Sequence, residues 1–106
     1  MLSSDVMRGY NDLMILSLLM EKDSYGYEIS KEIRDKSDEK YSMKETTLYS
    51  AFSRLEKAEY IQSYFGTETN GKRRTYYSIT QNGREFFKSK CEEWNLVKEI
   101  VDRFVW

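Results

Sequence analysis

The C-terminal segment from Gln81 to Trp106 constrains the fold most strongly, because it has the pattern of one helix that is long for so short a chain. About 26 residues in a helix extend ~39 Å. A chain of 106 residues provides one small domain, and such a helix would overrun it. Thr80 stands immediately before the segment as an N-cap acceptor. We therefore expect the far end of this helix to find its contacts on a second molecule.

Apolar residues repeat along this segment with a spacing typical of coiled coils. Phe87, Trp94 and Val101 are seven residues apart, and Val97 and Phe104 continue the stripe. The stripe is short, so we predict a helix that dimerises with its symmetry mate and also packs on the first helix. Large aromatic side chains leave room at such an interface for a flat ligand stacked on Trp94, although simple packing explains the same spacing.

The segment from residue 42 to residue 60 predicts an amphipathic helix with two different faces. Leu48, Phe52 and Leu55 recur at the helical period and form the inward face. The outward face carries hydroxyl and cationic groups, which suit the base edges and phosphates of a DNA major groove. An ordinary solvated surface is the alternative. The outward face consists of Thr46, Thr47, Ser50, Ser53, Arg54 and Lys57.

Two β-rich segments follow, Ile61 to Phe65 and Thr75 to Thr80. Asn70-Gly71 between them is a strong signal for a hairpin turn, because both residues tolerate a positive φ. Three cations, Lys72 to Arg74, come directly after that turn. A basic hairpin after a helix-turn-helix is the arrangement of a wing that contacts the DNA backbone or minor groove. A merely solubilising turn is the alternative.

Two further helices are expected before the central one. The first extends from Ser4 or Asp5 to about Met20, and the second from Tyr25 to about Lys36. The predicted N-caps are Ser4 or Asp5 for the first helix, Asp23 or Ser24 for the second, and Ser42, in a capping box with Glu45, for the third.

Two tyrosines, Tyr25 and Tyr27, flank Gly26 at the start of the second helix. Free amides at a helix start attract anions, so Tyr25 is a candidate for binding a phosphate group. Tyr27 is in line with Ile29 and Ile33, and we expect it to pack inward with them.

The formal net charge of -1 lacks the basic excess that is common in nucleic-acid-binding proteins, but the charge is unevenly distributed. Residues 1–40 carry six basic and nine acidic side chains, whereas residues 41–80 carry six basic and four acidic side chains. The middle of the chain is therefore locally positive, which favours contact with DNA phosphates.

The sequence contains no histidine, and Cys91 is its one cysteine. This excludes, within one chain, the usual Cys/His zinc sites, His-dependent catalytic triads and an intrachain disulfide. The longest apolar run, Leu13 to Met20, is far shorter than the ~20 residues of a membrane span. We therefore expect a soluble cytoplasmic protein that is not an enzyme, needs no metal or cofactor and does not bind a membrane.

The order of these elements, together with several short motifs, resembles the PadR family of bacterial transcriptional regulators. The resemblance implies a homodimeric repressor with a winged helix-turn-helix fold, mainly α with a small two-stranded β-wing. Residues 1–80 would form the DNA-binding part and residues 81–106 the dimerisation helix, within one compact domain. The motifs are Tyr25-Gly26-Tyr27-Glu28-Ile29, Thr47-Leu48-Tyr49 with Arg54-Leu55-Glu56-Lys57, Arg73-Arg74-Thr75-Tyr76-Tyr77, and Ile79-Thr80 with Gly83.

The resemblance also implies which residues contact promoter DNA. Tyr25 matches a phosphate-contacting tyrosine. Ser53 and Lys57 are candidates from the amphipathic pattern of the helix and not from the resemblance. The other matched positions are Thr46, Thr47, Tyr49, Ser50 and Arg54 in the recognition helix and Lys72, Arg73 and Arg74 in the wing.

Within the family, the chain resembles the short lactococcal multidrug-binding form, through Ser63-Tyr64 with Gly66, Gly71 with Arg73-Arg74, and the stretch from Glu93-Trp94 to Val97. That likeness implies a flat aromatic ligand between paired Trp94 rings, near Cys91, Val97 and Lys98, which releases the repressor from DNA. Lys98 stands where that form has an acidic residue that helps it favour cations. A repressor without a ligand and a winged-helix module that binds proteins are the alternatives.

Overall fold

Helices dominate the chain, which a computed structural model describes for residues 2–66 and 73–106. The order of elements confirms the predicted fold class, a mainly helical chain with a small antiparallel sheet and a long last helix. In chain order these are α1 (Ser4–Met7), α2 (Asn11–Glu21), β1 (Ser24–Tyr25), α3 (Gly26–Lys36), α4 (Glu45–Lys57), β2 (Ile61–Gly66), β3 (Arg74–Ile79) and α5 (Gln81–Asp102).

The predicted first helix is divided in two, which corrects the expectation of one helix up to Met20. A turn at Arg8 to Tyr10 separates α1 from α2, and the amide of Tyr10 donates to the carbonyl of Met7 over 2.9 Å. Gly9 lies in this turn, and glycine is among the poorest residues inside a helix. The N-cap of α1 is Ser3, whose hydroxyl accepts from the amide of Val6, and not Ser4 or Asp5.

The sheet has three antiparallel strands in the order β1-β3-β2, one more than the predicted two-stranded wing. The additional strand β1 pairs Ser24 with Tyr77 of β3. Ser24 and Asp23 do not cap α3 as predicted. Tyr25 is the N-cap residue, without a side-chain bond, and the Ser24 hydroxyl donates instead to the Glu28 carboxylate over 2.5 Å.

The core lies around α2, which contacts α3, α4, α5 and strand β3. Phe52 of α4 stacks on Tyr77 of β3 with ring centroids 4.1 Å apart, and this contact joins α4 to the sheet. The apolar residues of α2 are therefore covered by several elements of the same chain. The buried hydrophobic residues are Ile15, Leu16, Leu18, Leu19, Ile29, Ile33, Met43, Leu48, Ala51, Phe52, Leu55, Ile61 and Tyr77.

The last helix, α5, begins as predicted and ends at Asp102, four residues before the end of the chain. The Thr80 hydroxyl accepts from the amide of Gly83 over 3.0 Å, which confirms Thr80 as the N-cap. The first turns of α5 pack on the core, where Phe86 stacks on Tyr60 at 4.2 Å. In the part of the chain that the structure describes, no helix combines the length and the apolar character needed to cross a membrane.

Gly83 allows α5 to approach the end of α4 closely, and we expect Gly83→Ala to destabilise the fold. An added Cβ would lie 2.1 Å from the Tyr60 carbonyl oxygen and 2.7 Å from Ile79. Such overpacking costs about 1–3 kcal/mol. Urea unfolding at one fixed protein concentration measures the loss. Gly9→Ala is the control, because nothing lies within 4 Å of a Cβ there. An equal effect of both substitutions would contradict the close contact.

Candidate nucleic-acid interface

The inward face of α4 is buried as its spacing predicts. Leu48, Phe52 and Leu55 are each 2% exposed. The helix begins at Glu45 and not at Ser42, and its N-cap residue Lys44 makes no side-chain capping bond, so the predicted capping box is wrong. The physical reason is Met43, which is buried in the core at 4% exposure from an extended segment before the helix.

The helix α4 carries more of the predicted DNA-contacting residues than any other element, and most of them lie on its outward face. Thr46, Ser50, Ser53 and Lys57 are exposed, and Thr47 is half-buried. Hydroxyl groups and a lysine ammonium therefore face solvent along the length of this helix, on the side opposite the core.

Arg54 belongs to the same face, but its guanidinium is bound to Asp12 of α2. Its Nη2 and Nε atoms donate to the two carboxylate oxygens over 2.5 and 3.2 Å. The hydrogen bonds to Asp12 raise the pKa of Arg54. The side chain remains 57% exposed. This pair fixes α4 against α2 and offsets the charge of Arg54, a role that the spacing of α4 alone does not reveal.

Tyr25 lies in an aromatic cluster that links the start of α3 to the base of the wing. The Arg74 guanidinium carbon is 3.8 Å from the centre of the Tyr25 ring. Tyr76 contacts Tyr25 edge-on at 5.3 Å and stacks on Tyr64 at 5.7 Å. The Tyr64 hydroxyl donates to Asp23 over 2.6 Å, and this bond raises the pKa of Tyr64. Tyr25 and Arg74, predicted separately, are thus brought together.

Tyr27 is 68% exposed, so the expectation that it packs inward with Ile29 and Ile33 is wrong. It borders a cavity of about 230 Å³ between α3 and α4, which Tyr49 also lines. A Cβ on Gly26 would lie 2.6 Å from the Tyr49 hydroxyl. Gly26 therefore makes room for the Tyr49 ring across the start of α3. Two exposed tyrosines border this surface, and the sequence prediction included one of them.

The tip of the wing, with Asn70, Gly71 and Lys72, lies outside the described residues. Arg73 is exposed, and its guanidinium carbon is 5.5 Å from the centre of the Phe65 ring. Arg74 is the first residue of β3 and pairs with Gly66 of β2. Both described wing cations thus contact aromatic rings at the base of the hairpin.

The side chains of the predicted C-terminal stripe become more exposed toward the end of α5. Phe87 and Val97 are half-buried, whereas the last two positions of the stripe are exposed, Val101 at 49% and Phe104 at 78%. Several neighbouring apolar residues are exposed as well. They are Leu96, Ile100, Val105 and Trp106.

Trp94 is 37% exposed and contacts Tyr10 edge-on, with ring centroids 4.9 Å apart. The Lys98 ammonium is 5.7 Å from the centre of the Trp94 ring. Trp94 and Val97 border a cavity of only about 20 Å³, which is too small for an aromatic ligand. Any ligand on Trp94 would need space formed outside one protomer.

Cys91 lines a different hollow, an apolar groove of about 390 Å³ between α2, α3 and α5. Its walls include Leu13, Met14, Ile33 and Phe87, with Lys36 at its border. The four predicted ligand residues therefore do not line one cavity of the protomer. Within residues 2–66 and 73–106, no three Cys, Asp or Glu side chains gather to hold a metal ion.

Comparison with known proteins decides the family. Residues 15–89 match the model of the transcriptional regulator PadR-like family. The chain belongs to that family. This confirms the family inferred from the motifs, and it makes the protein a DNA-binding transcriptional regulator with a winged-helix fold and not an enzyme.

Solved structures are similar to this PadR-like regulator over nearly its whole length. A transcriptional regulator from Clostridium thermocellum is 64% identical to this chain, with a TM-score of 0.91. The match covers 97% of this chain and 100% of that one. A PadR family regulator from Clostridium difficile is 38% identical with a TM-score of 0.78, over 90% of this chain and 97% of that one. Among sequence relatives, an uncharacterized protein from Lysinibacillus sphaericus is 47% identical over 99% of this chain and 96% of its own length.

Proposed function

We propose that this PadR-like regulator is a homodimeric transcriptional repressor that binds promoter DNA through α4 and the wing. The observation that carries the proposal is the outward face of α4, where Thr46, Ser50, Ser53 and Lys57 are exposed while the opposite face is buried. Hydroxyl and ammonium donors on one exposed helix suit the acceptors of base edges and phosphates in a major groove.

The wing is proposed to hold the DNA backbone beside the helix. Arg73 is exposed at the base of the hairpin, and Arg74 lies over the Tyr25 ring. Together with Lys72 they would supply the positive charge that phosphates attract. Tyr25, placed between the wing and the start of α3, would contact a phosphate on the same side. Tyr49 is proposed to complete the recognition surface.

Dimerisation is proposed to occur through the exposed apolar end of α5. Val101 lies in the last turn of α5, Phe104, Val105 and Trp106 follow the helix, and all four side chains are about half or more exposed. An exposed apolar surface of this kind commonly marks an interface. The apolar groove bordered by Phe87 and Cys91 lies on the same helix and is a suitable surface for the partner. A two-fold dimer would place two α4 helices in successive major grooves, ~34 Å apart.

Competition titration tests the function. A labelled duplex from the region upstream of the gene is titrated with protein, and unlabelled upstream or random duplex of equal length competes. We expect the upstream duplex to bind ~10³-fold more tightly or better, the usual range for specific recognition. Equal competition by the random duplex would contradict a role as a promoter-binding repressor.

A flat aromatic ligand at the dimer interface is the proposed inducer. Trp94 is partly exposed, and the cavity that it borders within the protomer is only about 20 Å³, so two Trp94 rings would enclose the ligand between protomers. Ligand binding would release DNA only if it favours a dimer in which the two α4 helices are spaced differently. A PadR-like repressor without a ligand is the second candidate, since packing on Tyr10 would by itself account for Trp94 at this position.

Tryptophan fluorescence distinguishes these two candidates. We expect a flat aromatic dye to quench the fluorescence of the unaltered protein in a saturable way, and we expect Trp94→Ala to abolish that response. Trp106→Phe is the control, because it removes the other tryptophan and keeps an aromatic ring. Quenching that survives Trp94→Ala but disappears in Trp106→Phe would reject the interfacial site.

A further inference from the structure

A polar groove of about 530 Å³ lies at the start of α4, away from the wing. Among the described residues that line it, Arg8, Lys40 and Lys44 are cationic and Glu39 is acidic. Thr47, which belongs to the outward face of α4, forms part of the same wall. The groove is therefore continuous with the proposed recognition surface and carries positive charge.

Lys44 occupies a position that does not favour the stability of α4. It is the N-cap residue and makes no side-chain capping bond. Helix starts are stabilised by acceptors and by negative charge, since the peptide dipoles place partial positive charge there. Glu45, the first residue of the helix, offsets part of this charge but does not line the groove, whereas Lys44 does. On the side of the groove, the helix start and Lys44 together therefore suit an anion.

The segment that carries Lys40 and Lys44 is held in place by internal hydrogen bonds. The Tyr41 hydroxyl donates to Asn11 over 2.7 Å, and Asn11 is buried at 5% exposure. The amide of Tyr41 donates to the Ser37 hydroxyl, which donates to the carbonyl of Arg34, both over 3.0 Å. The groove therefore has a fixed floor, and its cations project from an ordered backbone.

Arg8 adds a third positive charge from the other wall of the groove. It pairs with Asp5 over 2.7 Å, but both side chains are 78% exposed. Exposed pairs of this kind contribute little stability. A phosphate group can therefore bind Arg8 in place of the Asp5 carboxylate, or together with it, at a small cost in free energy.

We propose that the groove lined by Arg8, Lys40 and Lys44 is a second contact for the DNA sugar–phosphate backbone, separate from the wing. This inference rests on the proposed DNA-binding role of α4. The thirteen residues of α4 extend ~20 Å, which is longer than the ~12 Å width of the major groove. With the helix in that groove, Lys44 at its start and the wing after its end would contact phosphates at opposite edges of the groove.

The test compares two double variants, Lys40→Gln/Lys44→Gln in the groove and Lys31→Gln/Lys88→Gln as the control. The control removes the same charge from exposed positions of α3 and α5. Affinity for the upstream duplex and for a random duplex of equal length is measured by fluorescence anisotropy over a salt series. Each lost phosphate contact reduces the salt slope by ~0.9. We expect the groove variant to lose about 2 to 4 units of slope, because both protomers of the dimer lose the contact. The loss should be the same on both duplexes, since phosphate contacts are independent of sequence.

Three results would overturn the proposal. The first is an unchanged slope in Lys40→Gln/Lys44→Gln while the unaltered protein binds DNA with a steep slope. The second is an equal change of slope in the control. The third is a change in the dimer mass, measured by light scattering, without a change in slope, which would assign the groove to a second copy of the chain. If the unaltered protein shows no preference for the upstream duplex, the repressor function itself fails, and the inference fails with it.

Discussion

Val101→Asp/Phe104→Asp should convert the protein into a folded monomer that has lost most of its affinity for promoter DNA. Both side chains are about half or more exposed in the protomer, at 49% and 78%, so their replacement leaves the core intact. In the proposed dimer they are buried against a partner, where two carboxylates without partners are strongly unfavourable. Without the dimer, the two α4 helices bind independently, and the loss of avidity is about 10²- to 10⁴-fold.

Light scattering and DNA titration measure the two parts of this expectation, and circular dichroism reports whether the fold survives. The matched control is Asn82→Asp/Ser89→Asp, which adds the same charge at exposed positions nearer the start of α5. It should remain a dimer with the original affinity. A Val101→Asp/Phe104→Asp variant that stays dimeric and binds DNA normally would reject the C-terminal interface.

Arg73→Ala/Arg74→Ala should weaken DNA binding about 10²-fold or more and reduce the salt slope by about 2 to 4 units, because both wings of the dimer lose their contacts. Hydrogen bonds to charged groups contribute about 1.5–3 kcal/mol each, tenfold in affinity corresponds to about 1.4 kcal/mol, and each phosphate contact contributes ~0.9 to the slope. Arg74 also covers the Tyr25 ring at 3.8 Å, so its loss exposes the proposed phosphate contact of Tyr25.

A charge-conserving control separates phosphate binding from the structure of the hairpin. Arg73→Lys/Arg74→Lys keeps both positive charges and should keep most of the salt slope, although it loses the planar guanidinium groups that stack on Tyr25 and Phe65. The slope is measured on the same upstream duplex over the same salt series. An alanine variant with the slope of the unaltered protein would show that the wing does not contact the DNA backbone.

The parts of the fold that depend on neighbouring residues were predictable from the sequence. The period of Leu48, Phe52 and Leu55 predicted the buried face of α4, because helix geometry places such residues on one side. Thr80 was predictable as an N-cap, because its partner Gly83 is three residues away. The motifs from Tyr25 to Gly83 predicted the family, since their order reflects the order of the elements.

Other features depended on contacts between distant parts of the chain. Arg54 and Asp12 are 42 positions apart, and Tyr64 and Asp23 are 41 apart. No local spacing predicts such pairs. The capping box of Ser42 failed because burial of Met43 favours an extended segment there, and this tertiary contact outweighs a local capping preference.

The exposed position of Tyr27 was missed for a similar reason. Apolar spacing placed it with Ile29 and Ile33, but the neighbouring surface is occupied by the Tyr49 ring lying against Gly26. The two-residue strand at Ser24–Tyr25 was also missed, because two residues carry no alternation pattern. Both features lie at the start of α3, where the proposed DNA surface meets the sheet.

Sedimentation equilibrium of the protein at micromolar concentration, alone and with its upstream duplex, tests the central claim most directly. The account predicts the mass of a dimer in free solution and two chains on each upstream duplex, with no comparable complex on a random duplex at physiological salt. A monomer in free solution that associates equally with both duplexes would contradict it.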